Sequence, residues 1–378
     1  MKIIDAHVHV SPEIRPEDLA AFLTRTGTDG AVLQAVSHSR CLSLIPTALV
    51  MKHQFPGRFF VFGAPDRTLY YTAGEVLGAE QAAWFARMRS CGVDGIKLLE
   101  GKPQMRKSLP IPDFDAPCWE AFWTMAEEEQ IPILWHVNDP ESFWSWDVSP
   151  WLVRQGWAYD DSFIDNEEQY RQVLCVLDRH PKLRVVFAHF FFLSAQLERL
   201  STIFDRYPNV MVDLTPGIEM IENFSAAPDA ARAFFAAYGD RICYGTDIGG
   251  RCILTNEGEP FNEAECLRRP EIVRSFLTGT EESRIESDGA YLIGREPFTM
   301  RPLGLCGERL DAILSGNIER QIGSAPQPVD PEAVLEDCAI LREKMIDMTE
   351  LLPDFSPSTA VVDLAERYFM KAVYEEYV

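Results

Sequence analysis

The chain has 378 residues, of which 47% are hydrophobic and 25% charged. That composition excludes a disordered or fibrous protein and leaves ample length for a sizeable core. The formal charge of −23, from 58 acidic against 35 basic residues, disfavours partners that need a basic surface, namely nucleic acid and anionic membranes.

Short β-branched and aromatic runs alternate with longer helical stretches. The predicted strands are 2–4 leading into Asp5-Ala6-His7, then 31–36, 59–64, 94–99, 132–137, 184–190, 209–215 and 242–247. Several are apolar almost throughout, as parallel strands buried on both faces are. The intervening segments carry helix signals. One is predicted over 115–130, with Asp115 as N-cap and Trp119, Phe122, Trp123 and Ala126 on one face; another over 165–180 is stopped by Pro181. Eight strand-then-helix units point to an α/β fold, a (β/α)8 TIM barrel, with a doubly wound sheet as the alternative. After the eighth strand, 249–304 reads as an irregular insertion rich in Gly, Pro and charge. A closing helix is expected over 308–322. The barrel domain is therefore assigned to 1–323. The Ser-Ala-Pro-Gln-Pro stretch at 324–328 reads as a linker into a helical extension, 324–378. There Val334, Cys338, Leu341, Met345 and Met348 form one apolar face, and a second helix is expected over 358–376. These helices either dock on the barrel or join subunits.

Nine scattered cysteines without a C-x-x-C pair, and a start that turns polar at once, suggest reduced thiols in a cytoplasmic protein. No apolar run is long enough to span a membrane.

Histidines sort by position. Of seven, His7, His9, His136 and His189 stand near carboxyl ends of predicted strands, and Asp247 ends the last one. In a barrel these ends converge on the face that carries active sites. His7-x-His9 places two imidazoles on one face of a strand, within reach of one ion. His38, His53 and His180 fit better as surface or capping residues. His7-Val8-His9, His136, His189 and Asp247 together resemble the amidohydrolase superfamily, and more closely its amidohydrolase 2 branch of metal-dependent hydrolases and decarboxylases. Ile-Leu-Ser-Gly-Asn-Ile-Glu-Arg-Gln-Ile-Gly at 313–323 is similar to that branch's closing helix. The resemblance implies that His7, His9, His136 and Asp247 hold one divalent metal, with His189 as acid/base or electrophile and Asp247 also able to act as base. Zinc is the first expectation, and Mn, Fe or Co suit the same N/O ligands. Bound Zn²⁺ lowers the pKa of water to about 7, within reach of a neighbouring carboxylate or imidazole.

Lys97, at the end of the fourth strand, has two readings. It can touch substrate, or, as the resemblance implies for two-metal members, become carboxylated and bridge two ions with His189 on the second. Lys97, Lys102, Arg106 and Lys107 make a locally basic loop that could hold a carboxylate, and Arg251 is a further anion-binding candidate. Five of the eight tryptophans fall in 135–157, and Trp144 is the one assigned to substrate. Asn138 and Asp139 are expected to orient His136. No phosphate-binding Gly-rich loop and no G-x-S-x-G elbow occurs.

The leading expectation is a metal-dependent hydrolase acting on an amide, lactone or ester of a small carboxylate. The alternatives are a non-oxidative decarboxylase on the same site and a non-catalytic barrel with a structural metal. A homo-oligomer, with a dimer as the first expectation, follows from the acidic barrel and its extra helices.

Overall fold

The computed structural model describes residues 1–37, 42–145, 147–148, 150–154, 156–215, 218–249, 262–286, 297–351 and 356–376. His38, Arg251 and Trp146 lie outside the described residues. The strands are β1 (Ile4–His9), β2 (Gly30–Ala35), β3 (Phe59–Gly63), β4 (Gly95–Gly101), β5 (Pro132–Val137), β6 (Arg184–Phe187), β7 (Val210–Asp213), β8 (Ile242–Cys243) and β9 (Ile248–Gly249). They pair in parallel in the order β8-β7-β6-β5-β4-β3-β2-β1-β9. Of the predicted eighth strand, 242–247, only Ile242–Cys243 is strand, on β7, and a second short piece just beyond it, Ile248–Gly249, pairs with β1. Between them the Ala6 amide donates to the Tyr244 carbonyl (3.0 Å) and the Asp247 amide to the His7 carbonyl (2.9 Å). The sheet closes on itself as a (β/α)8 barrel.

Inward-facing residues divide by height. Ile4, Ala6, Val32, Phe60, Phe62, Leu134, Val186, Met211 and Cys243 form an apolar floor, plugged by Ile318 of the closing helix. The alternate residues Val8, Leu33, Val61, Ile96, Leu98, Ile133, Trp135, Val185 and Val212 face the surrounding helices in a separate, larger core. Above the floor, the inward positions turn polar.

The closing helix runs from Gly307 to Ile322 with a π-turn over Ala312–Gly316. The Tyr244 amide donates to the Ile313 carbonyl there (2.9 Å), which ties this helix to the split strand. The extension comprises helices Pro331–Leu351 and Ala360–Glu376. All five residues of its predicted apolar face are buried. Lys52 and Asp94, paired at 2.6 Å and nearly fully buried, anchor the linker, since Asp94 Oδ1 also accepts from the Gln327 amide (2.7 Å). His53 Nδ1 meets Tyr368 Oη at 2.9 Å. The extension therefore docks on its own barrel.

Two expectations need correction. The helix predicted over 115–130 begins at Glu120, because Pro117 opens a 3-10 turn and Asp115 pairs with Arg171 (2.7 Å) instead of capping. The stretch 249–304 is not irregular throughout. It contains a helix, Glu263–Thr278, capped by Asn262, and an antiparallel hairpin of 283–285 with 298–300. Pro270 inside that helix masks it in the sequence. His180 is the C-cap of the helix Asn166–Arg179, one of its two expected roles, and is buried 3.3 Å from both Glu120 and Glu127.

No helix among the described residues is long and apolar enough to cross a membrane. The seven cysteines among them form no disulfide with one another.

Candidate metal centre and active site

A register irregularity in β1 between Asp5 and Val8 changes which residues face inward. Ile4 and Ala6 belong to the floor, Val8 to the outer core, and His7 and His9 turn into the mouth. Asp5 locks this bend. Its Oδ1 accepts from the amides of His7 (3.0 Å) and Thr246 (3.1 Å), and its Oδ2 from the Thr246 hydroxyl (2.5 Å). Burial pushes the Asp5 carboxyl up to about 7.

His7 Nε2 lies 3.1 Å from His9 Nε2 and 3.5 Å from Asp247 Oδ1, and His9 Nε2 lies 3.1 Å from the same oxygen. These three residues put ligand atoms within 4.8 Å of one another. His7 Nδ1 donates to Asp213 Oδ2 (2.9 Å), so Nε2 carries the lone pair. A carboxylate behind a ligating imidazole is the usual partner of a metal-bound histidine. Burial, then the nearby Lys97 ammonium, push the His7 pKa well down, which keeps the ring neutral and its lone pair available. Burial alone would raise the Asp247 carboxyl, but His7 and His9 hold it well below the usual carboxylate range. The donor set of two neutral imidazoles and a carboxylate suits a divalent ion of the zinc type.

Asp213 is the hub beneath this group. It is fully buried and also accepts from the His189 amide (2.8 Å) and the Thr215 hydroxyl (2.6 Å) through Oδ1. Burial raises its pKa. Gly245 makes room beside it, because a Cβ there would meet Thr215 Cγ2 at 2.6 Å.

Lys97 points inward from β4, fully buried, with Nζ 3.0 Å from His7 Nε2. Burial lowers its pKa to about 8. Just beyond, β4 bulges between Leu98 and Gly101. Glycine is required at 101, where a Cβ would lie 2.1 Å from the His136 carbonyl oxygen.

His136 and His189 form a second pair. Strand β6 ends at Phe187, short of the predicted 190, because His189, Phe190, Phe191 and Phe192 all adopt left-handed backbone with φ between 52° and 58°. Each such residue costs on the order of 1 kcal/mol. Packing holds the turn. Phe187 stacks on Phe191 (3.8 Å between centroids), Tyr170 Oη donates to the Phe191 carbonyl (2.9 Å), and Phe190 packs on Phe224 and Phe234. The turn aims His189 into the mouth. Its Nδ1 donates to the Thr215 carbonyl (2.6 Å), so its Nε2 accepts from His136 Nδ1 (3.0 Å). Burial takes the His189 pKa down to about 3 and lowers that of His136. His136 Nε2 remains, buried and without a hydrogen-bond partner, 3.5 Å from Asp139 Oδ1.

Sequence reasoning therefore identified His7, His9, His136, His189, Asp247 and Lys97, which all meet at the mouth, although His136 is outside the close trio. Asp139 lies against His136 as expected, whereas Asn138 binds Gln169 and the Asn166 carbonyl. The basic loop is not a free anion site. Lys102 pairs with Asp139 (2.8 Å), Arg106 with Asp113 (2.7 Å), and Lys107 with Ser162 (2.5 Å). Trp144 lies 4.7 Å from Tyr159 in a small aromatic cluster. Sequence reasoning missed Asp5, Asp213 and Arg269. Buried Arg269, from the helix that Pro270 masks, donates to the Asp247 carbonyl (3.0 Å) and so pins a residue at φ 54°.

A sequence profile described as amidohydrolase matches residues 4–250. The chain belongs to the amidohydrolase family. Among curated proteins no sequence matches this amidohydrolase. Several solved structures share its fold. An uncharacterised TIM-barrel protein from Bordetella bronchiseptica is 14% identical, with a TM-score of 0.53 over 86% of this chain and 99% of the other. A Staphylococcus aureus protein provisionally described as an amidohydrolase is 17% identical, with a TM-score of 0.54 over 85% and 100%. 5-Carboxyvanillate decarboxylase from Sphingomonas paucimobilis is 12% identical, with a TM-score of 0.50 over 85% and 98%. The amidohydrolase fold thus spans the barrel whose mouth gathers His7, His9 and Asp247.

Proposed function

We propose that this amidohydrolase is a metal-dependent hydrolase that opens an amide, lactone or ester of a small carboxylate-bearing substrate. The observation that carries this reading is the close trio of His7 Nε2, His9 Nε2 and Asp247 Oδ1, with Asp213 fixing the His7 tautomer. His136 is proposed to complete the set through Nε2, the buried nitrogen left without a hydrogen bond. A divalent ion held there, zinc first among the candidates, supplies Lewis acidity and a lowered pKa for water. The Asp247 carboxylate, 26% exposed at its side chain, is placed to take a proton from the attacking water. Neutral His189, held through Thr215 and Asp213, is the second proton carrier: its Nε2 has to part from His136 Nδ1 to take up the proton that Asp247 removes from the water and pass it to the leaving group. Lys97 offers the cation for a substrate carboxylate. One ion is favoured over two, because His189 turns both ring nitrogens to protein groups. We place the protein in the cytoplasm and, from its acidic barrel and extra helices, expect a dimer.

A decarboxylase reading has one observation in its favour. Lys102, Arg106 and Lys107 are occupied, which leaves Lys97, beside the trio, to meet a carboxylate. A carboxylate drawn that close to the metal ligands suits loss of CO₂ better than attack at a distant carbonyl.

Metal content per chain, on protein purified without chelator, tests the site. About one ion is expected, lost in His9→Ala while the circular dichroism spectrum is kept. Failure to take up metal on titration overturns the reading. Product analysis over N-acyl compounds, lactones and aryl carboxylates then separates the reactions, since CO₂ release without amide or ring opening replaces hydrolase by decarboxylase.

A further inference from the structure

We infer that a cavity beside the histidine pair receives the distal part of the substrate, and that this part carries a protonated amine on an apolar body. The inference rests on the catalytic reading of the adjoining centre and names a feature of its substrate.

The cavity has a volume of about 370 Å³, enough for one ring or a short chain with its head group. It shares walls with the centre. Phe192 lines it, and the same ring lies 5.5 Å from His136 and 5.1 Å from His189, centroid to centroid. Trp144 lines it too and packs on Tyr159, whose hydroxyl donates to Asp139 (2.5 Å), the carboxylate beside His136 Nε2. A substrate reacting at the mouth would reach this space past the Phe192 ring.

The charged lining is all acidic, and the two amides, Asn166 and Gln196, are the other polar groups; Gln196 Oε1 accepts from Arg199 (3.3 Å). Glu141, Asp165, Asn166 and Glu167 all face the cavity. Asn166 Oδ1 is buried without a hydrogen-bond partner, while its Nδ2 donates to the Asp139 carbonyl (3.4 Å). Asp165 Oδ1 caps the following helix by accepting from the Glu167 amide (2.8 Å). Glu167 is matched by Arg199, which approaches both its oxygens at 2.7 Å and lies over the Tyr170 ring. Tyr170 donates its hydroxyl to the Phe191 carbonyl. With Arg199 set against Glu167 and over the Tyr170 ring, the lining keeps the negative charge of Glu141 and Asp165 and the rings of Trp144 and Phe192. Aromatic faces with carboxylates select cations that carry N–H donors. A carboxylate in the same place would meet like charge.

The test compares three probes of one shape on the full, metal-loaded chain by ligand-observed NMR titration: benzylammonium, benzyl alcohol and benzoate. Benzylammonium should bind about tenfold tighter than benzyl alcohol, with benzoate weakest. Glu141→Gln should weaken benzylammonium about fivefold and leave benzyl alcohol unchanged; Trp144→Ala should weaken both. Equal binding of amine and alcohol, a preference for benzoate, or a Glu141→Gln protein of normal melting temperature that binds benzylammonium undiminished would each overturn the proposal. Metal content on the same samples separates the two readings. A chain that holds metal but does not discriminate overturns this inference alone. One that takes up no metal yet shows the full pattern supports the cavity and overturns the catalytic centre.

Discussion

Inside the barrel, Phe60, Phe62, Leu134, Val186 and Met211 fill the lower half, while His7, Lys97, His136 and Asp213 fill the upper half on several of the same strands. The floor is held by area and shape, which many apolar side chains supply jointly. In the mouth each group depends on a named partner, because a buried polar atom left unpaired costs about 1–3 kcal/mol. The two halves should therefore fail differently. Phe62→Ala removes a fully buried ring from the floor and should destabilise the protein by about 3–5 kcal/mol in urea unfolding. Metal bound per folded chain should stay unchanged. A floor variant that keeps its stability but loses metal would erase the distinction.

Asp213→Asn probes the mouth with almost no change in volume. The amide oxygen can still accept from the His189 amide and the Thr215 hydroxyl, as Oδ1 does now. The amide nitrogen cannot accept from His7 Nδ1–H, so His7 loses the contact that fixes its tautomer. Metal affinity, read by competition with a chelator, should fall about 10- to 100-fold. The fold should survive, since no floor contact changes. Unaltered affinity would remove Asp213 from the centre.

The same contrast explains what the sequence discloses. The floor is legible as strand patterning, and four histidines at strand ends stand out because the chain has only seven. Asp213 and Asp5 do not stand out among 58 acidic residues, although each holds the mouth together. Their partners lie far away in the chain, as Asp213 does from His7 and Asp5 from Thr246. Arg269 was hidden with its helix by Pro270. The left-handed turn that aims His189 is built from three phenylalanines, where the sequence offers no glycine as a sign of positive φ. The basic loop misled for the opposite reason. Its charges cluster in sequence, but their partners Asp139, Asp113 and Ser162 arrive from segments further along.

The smallest effect is expected where the extension meets the barrel, far from this contrast. Asp337 is 3% exposed at its side chain, and its Oδ1 accepts from Arg87 Nε at 3.2 Å. Burial outweighs Arg87 and the nearby Lys344, with Asp66 adding repulsion, and pushes the carboxyl from 3.8 up to about 6. The folded state therefore binds the proton more tightly than the unfolded chain, so its stability falls as pH rises between those two values and stays at the lower level above about 6. Arg87 is 33% exposed, which lets water screen the pair, so the difference should be about 1 kcal/mol. Other carboxylates titrate over the same range, and only subtraction isolates Asp337. Asp337→Asn cannot ionise, and it should gain stability relative to the parent between pH values near 4 and 7, a gain measured by urea unfolding at both ends of that window. A difference that stays flat across the window would mean that Arg87 fully offsets the burial. In that case the extension is held by its apolar face, Val334 to Met348, without a pH-dependent contribution from this pair.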